Sequence, residues 1–150
     1  MANTYTCLYY HIIFSTKNRH PWINPDIEQR VWEYLGGIAR QHDMKALKVG
    51  GVEDHVHIVV SMRPPVAVSH AVQMFKGNSS RWIHETLPNL RAFSWQDGYG
   101  AFTVNKSQLP EVIEYVANQR EHHRKRTFQE EYCAFLKMHG IEYDERYVWG

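Results

Sequence analysis

The sequence predicts an α+β chain, a ferredoxin-like βαββαβ antiparallel sheet with two added C-terminal helices, on three observations. First, apolar runs rich in β-branched and aromatic residues alternate with stretches of helical spacing in that order along the chain. Second, 150 residues with 43% hydrophobic content are enough for one core without disulfides or a structural metal. Third, there is no repeat, low-complexity tract or Gly/Ser linker, so residues 1–150 read as one domain.

Residues 7–16 (CLYYHIIFST) are β-branched and aromatic and end at the turn-like KNRHP, which makes a first strand. Residues 24–41 repeat Ile27, Val31, Tyr34, Leu35 and Ile38 at helical spacing, with Asn24 placed to cap. Residues 45–52 and 55–62 are two short apolar runs around Glu53 and Asp54, a hairpin. After Arg63, Pro64 and Pro65, a second helix over about 69–86 turns Val72, Phe75, Trp82 and Ile83 inward. Residues 98–105 (GYGAFTVN) supply the fourth strand. Ser107 then caps a helix to about Arg124, with Pro110 in its first turn. A last helix starts at Thr127, where TFQE fits a capping box with Glu130, and stops near Gly140. Two helices cover one sheet face. The other is left open, and the helix over 107–124 is placed to lie near it or to cross to a partner subunit.

The two cysteines, Cys7 and Cys133, are too few for a disulfide framework and read as reduced thiols of a cytoplasmic protein. Residues 1–17 lack a basic leader and a cleavage site, and their longest apolar run is far short of the roughly 20 residues of a spanning helix. Secretion and membrane insertion are disfavoured. A net charge of +1 argues on average against nucleic acid, but it leaves out ten histidines.

His55 and His57 flank Val56 in a strand, so both imidazoles leave the same sheet face, a geometry suited to a shared metal ion. With ten histidines, roughly 0.7 such triplets arise by chance, so a polar sheet face explains the pair equally well. On the helix after Ser107, Tyr115, Gln119 and His122 form one row, about a third of a turn from the stripe of Leu109, Val112, Ile113 and Val116. Taken alone, Tyr115 reads as an edge-of-core tyrosine. Brought face to face, the strand and helix create a three-ligand site of His55, His57 and Gln119, with a phenol beside it.

These residues resemble the small single-tyrosine transposases of the HUH superfamily, encoded by insertion sequences and related repeat-associated elements. The resemblance spans nearly the whole chain and rests on HIIFSTKNRHPWI, GGVEDHVHIVVSM, FKGNSSRW, SWQDGYGAFTV and the stretch from YVANQREHHRKR to the end. It implies that Tyr115 attacks a phosphodiester of single-stranded, hairpin-bearing DNA. It also implies that His55, His57 and Gln119 hold a divalent ion, Mg2+ or Mn2+. The family fold is ferredoxin-like and homodimeric, with a catalytic helix that typically completes the other subunit's site. A phosphotyrosine intermediate needs no nucleotide cofactor, and the implied setting is the nucleoid-associated cytoplasm of a bacterium or archaeon.

His122 and His123 are possible auxiliaries in ligation, proton transfer or phosphate contact. The alternative is a basic helix end favoured by the macrodipole. QREHHRKR sums to +3 without its histidines, so Arg124, Lys125 and Arg126 form a local basic patch beside Tyr115. Further candidates for DNA contact are Lys17, Arg19, His20, Arg63, Lys76 and Arg81, with Trp82, Trp95 and Tyr99 as stacking platforms. Two competing readings are a domesticated dimeric protein that binds single-stranded DNA or hairpins without catalysis, and a structural zinc domain. The second lacks the usual cysteine spacing.

Overall fold

The computed structural model describes residues 3–150. Its elements are β1 (Tyr9–Ser15), α1 (Glu28–Gln41), β2 (Met44–Val52), β3 (His55–Met62), α2 (Val68–Thr86), β4 (Gly100–Val104), α3 (Leu109–Ala117), α4 (Gln119–His122) and α5 (Phe128–Met138). The four strands form one antiparallel sheet in the order β2-β3-β1-β4. This is the predicted ferredoxin-like sheet.

The register assigns the two faces. Ile12 lies opposite Ile58 and Phe14 opposite Val56, and these side chains enter the main core with Val31, Leu35, Val72, Phe75 and Ile83 of α1 and α2. On the reverse face Ile13 lies opposite His57, Ser15 opposite His55, and Gly50 of β2 opposite His57. That face is covered in the same chain by α3 and α5, which build two smaller clusters. One holds Ile13, Phe102, Phe128, Tyr132 and Leu136, the other Val59, Val104, Leu109 and Val116. With both faces covered, Ile12, Ile13 and Phe14 are buried in succession.

Three local expectations meet different outcomes. The TFQE capping box forms, with Thr127 Oγ1 accepting from Glu130 N and Glu130 Oε1 accepting from Thr127 N. Asn24 does not cap α1. Its side chain instead accepts from Asp26 N at 3.0 Å, and the turn so made delivers the chain to the helix at Glu28. Likewise Ser107 sits in a short 3-10 turn over Lys106–Gln108, and α3 begins at Leu109 without a side-chain cap.

The helix expected over 107–124 bends at Asn118 (φ −105°, ψ 29°), which divides it into α3 and α4. Asn118 N splits its hydrogen bond between the carbonyls of Glu114 (3.1 Å) and Tyr115 (3.3 Å), a tightened turn of the kind that ends helices. Two contacts dock this segment on its own sheet. A Cβ at Gly50 would stand 2.5 Å from the Val116 carbonyl oxygen, so glycine permits the approach of α3 to β2. Arg120 donates to Glu53 at 2.8 Å and to Glu28 at 2.9 Å, tying α4 to the β2–β3 turn and to α1.

Candidate active site

His55 and His57 are both fully buried on the reverse face of β3. Each turns one ring nitrogen toward a polar support. His55 Nδ1 lies 2.7 Å from Asp54 Oδ1, and His57 Nδ1 lies 2.7 Å from His11 Nε2. The other nitrogens converge. His55 Nε2 is 3.1 Å from Gln119 Oε1, and His57 Nε2 donates to Glu131 Oε1 at 3.0 Å. An imidazole oriented through one nitrogen so that the other is presented is the arrangement of metal-ligating histidines.

The bend at Asn118 keeps the predicted row together. Gln119 is buried, its Nε2 donates to the Tyr115 carbonyl at 3.2 Å, and its Oε1 faces both His55 Nε2 and, at 3.0 Å, His123 Nε2. Of the two histidines ending the segment, His123 joins this cluster, lying 3.3 Å from Glu131 Oε1. His122 does not contact it and instead lies against the Tyr115 ring, centroid to centroid 4.5 Å.

Glu131, which nothing in the sequence reading singled out, is the one buried acidic residue among those described. Its Oε1 faces His57, His55 and His123, and its Oε2 accepts a hydrogen bond from the Tyr115 hydroxyl. Arg126 Nη2 donates to the same phenol oxygen at 3.4 Å. No buried side-chain polar atom among the described residues lacks a partner.

Burial sets the electrostatics. It pulls His57 down to about 4, outweighing the hydrogen bond that His57 donates to Glu131, so the imidazole is neutral at pH 7, the form that binds metal. Burial also pulls His11 down, helped by the neighbouring His57. On its own it would raise the Glu131 carboxyl, but hydrogen bonds from His123 and His57 outweigh it and hold the group well below the usual carboxylate range. The Tyr115 phenol is pushed up to about 12 by burial and by the Glu131 charge, with Arg126 and Gln119 opposing.

The donor set fits a divalent ion. Donor atoms of His55, His57, His123 and Glu131 all lie within 4.8 Å of one another, and the Gln119 oxygen lies between two of them. Ligands at about 2.1 Å from one ion stand roughly 3 to 3.5 Å apart, close to the separations found here. Two clefts open beside Tyr115. One of about 330 Å³ is lined by His11, Arg126 and Phe135 among others, and one of about 370 Å³ by Glu111, Glu114 and His122 among others.

The basic candidates are dispersed. Lys17 and Arg19 lie in a turn where Asn18 and Arg19 both have positive φ. Lys17 is exposed, whereas Arg19 donates to the Trp149 carbonyl at 2.8 Å. Lys76 spends its ammonium on the carbonyls of Gln96, Asp97 and Gly98. Arg63, Arg81, Arg124 and Lys125 are exposed, Arg63 opposite Asp43 at 3.9 Å. Exposed His20 packs on Trp22, Trp82 stacks on Tyr34, Trp95 is buried, and Tyr99 is partly exposed.

Comparison with known proteins places the chain. The chain is 26% identical over 119 residues to the ISDra2 transposase TnpA of Deinococcus radiodurans, covering 76% of this chain and 85% of that protein. It is 27% identical over 127 residues to the transposase for insertion sequence element IS200 of Salmonella typhimurium, covering 81% and 82%. Among solved structures, a Deinococcus radiodurans protein described as a transposase superposes with a TM-score of 0.67 at 24% identity, over 79% of this chain and 95% of that one. A REP-associated tyrosine transposase bound to a REP hairpin superposes with a TM-score of 0.60 at 13% identity, over 82% and 73%. These two likenesses establish the shared fold. Residues 4–119, from the start of the sheet through Tyr115 to Gln119, match the family described as "Transposase IS200 like", and the chain belongs to that transposase family.

Proposed function

We propose that this chain cuts and rejoins single-stranded DNA at hairpin-bearing element ends through a covalent 5′-phosphotyrosine, with Tyr115 as nucleophile. The observation that carries the reading is the convergence of the Tyr115 hydroxyl with the donors of His55, His57 and Gln119 on one sheet face, beside clefts open to solvent. A divalent ion, Mg2+ or Mn2+, held by these residues would supply a Lewis acid for the scissile phosphate.

The chain's own residues account for the rest. Glu131 Oε2 holds the phenolic proton and aims the ring, while Arg126 favours negative charge on the same oxygen. Attack by the Tyr115 oxygen forms a tyrosyl P–O bond as the bond to the 3′ oxygen breaks, leaving a free 3′-OH. Because one phosphodiester replaces another, a 3′-OH can reverse the step without a nucleotide cofactor. Arg124, Lys125 and Lys17 are exposed cations available to the DNA backbone. The partner is DNA with a hairpin, the kind of ligand bound in the REP-associated tyrosine transposase to which this chain is similar in fold. We take residues 1–150 to act as one unit, as a homodimer in the cytoplasm. Among the described residues no helix is long and apolar enough to cross a membrane.

Incubation with hairpin-bearing single-stranded oligonucleotides, with Mn2+ or with chelator, tests this. The expected result is a protein–DNA band that survives denaturation, requires the metal and vanishes in Tyr115→Phe. If wild type forms no adduct on a broad panel, or Tyr115→Phe forms as much, the proposal fails. Binding without adduct would support a non-catalytic hairpin-binding protein instead.

A further inference from the structure

Glu131 carries an inference beyond the two-histidine site. Along α5 the residues Phe128, Tyr132, Phe135 and Leu136 turn toward the sheet, and Glu131 stands among them as the single charge, fully buried. A hydrophobic side chain would fill that position at no desolvation cost, whereas a buried carboxylate is tolerated only when compensated. Its two oxygens have different neighbours. Oε1 lies 3.0 Å from His57 Nε2, 3.3 Å from His123 Nε2 and 3.5 Å from His55 Nε2, while Oε2 accepts the hydrogen bond of the Tyr115 hydroxyl.

We propose that Glu131 is a bridging carboxylate, whose Oε1 would belong to the ligand set of the divalent ion while Oε2 holds the Tyr115 hydroxyl, so that α5 holds the nucleophile beside that ligand set. His123 supplies a further imidazole to the same set. This rests on the metal-dependent reading given above and adds to it two ligands and a positioning role. Both residues lie beyond the stretch that matches the family, which ends at Gln119. The C-terminal segment of this chain therefore completes the centre from outside the shared part. Three imidazoles, an amide oxygen and a single carboxylate form a nitrogen-rich set, suited to manganese or a later transition metal better than to magnesium, which prefers oxygen.

The test measures metal binding without DNA or turnover. The full chain is stripped with chelator and titrated with Mn2+ by calorimetry, as wild type, Glu131→Gln and the double variant His55→Ala/His57→Ala. Glu131→Gln is expected to weaken Mn2+ binding by about tenfold or more. 3-Fluorotyrosine placed at position 115 is expected to lose its 19F signal to paramagnetic broadening when Mn2+ binds the otherwise wild-type chain. Should Glu131→Gln not fold, Glu131→Asp, which withdraws the carboxylate by one methylene, is held to the same tenfold threshold. Unchanged affinity in the folded Glu131 variant, or a 115 signal untouched by bound Mn2+, overturns the bridge and leaves the histidine site standing. If wild type binds no Mn2+, or the double histidine variant binds it as tightly, the metal reading falls with it.

Discussion

The two faces of this sheet are built from the same strands and obey opposite rules. Toward α1 and α2, Ile12, Phe14, Val56, Ile58 and Val60 pack into one continuous apolar core. Toward α3, α4 and α5, His11, His55, His57, Gln119 and Glu131 are buried just as deeply but bond to one another. The difference separates a core from a candidate site. The first face gains from every methylene it buries. The second has its polar groups paired at the cost of desolvation, which is the expense of a site rather than of a core.

Substitutions can break that contrast. Phe75→Ala, in the apolar face, is expected to cost about 3–5 kcal/mol in urea unfolding. What remains folded should keep its Mn2+ affinity. Gly50→Val strikes the boundary, because its side chain must displace the Val116 carbonyl that now lies 2.5 Å from the Cβ position. It is expected to cost about 1–3 kcal/mol and to abolish adduct formation. Hydrogen exchange should speed up in α3 while α1 and α2 stay protected.

How far each face could be read from the sequence follows from the same contrast. Apolar runs rich in β-branched and aromatic residues placed the four strands, helical stripes placed α1 and α2, and period two within a strand put both histidines on one face. Tyr115 and Gln119 were legible as a row one turn apart, and that spacing survives the bend at Asn118. The bend itself, the turn before α1 and the failed Ser107 cap depend on tertiary docking and local hydrogen bonds that periodicity does not encode. His11 meets His57 diagonally across β1 and β3, a contact visible only once the register is known. Glu131 did leave a signal. Phe128, Tyr132, Phe135 and Leu136 form an apolar stripe, and the acidic residue at its i+3 position breaks the stripe on the buried side.

Acid offers a milder probe of the polar face. In the fold His57 titrates near 4 instead of 6.5, and Glu131 stays ionised below the usual carboxylate range. Between pH 6.5 and 4 the unfolded chain therefore binds more protons than the folded one, and stability falls as pH drops through that window. Thermal melts in chelator should show the loss in wild type and in Phe75→Ala alike, and a flatter profile in His57→Asn. The smallest effect is expected at the rim. Arg120 is 46% exposed, so Arg120→Ala should cost less than about 1 kcal/mol despite its two carboxylate partners, and less again at high salt.

One phenol on the polar face, that of Tyr115, is proposed to carry the chemistry. Digestion of the denatured protein–DNA adduct followed by peptide mass spectrometry tests it most directly. The expected result is a 5′-phosphonucleotide on the peptide containing Tyr115 and on no other tyrosine. A nucleotide on a different residue, with the Tyr115 peptide unmodified, would contradict it.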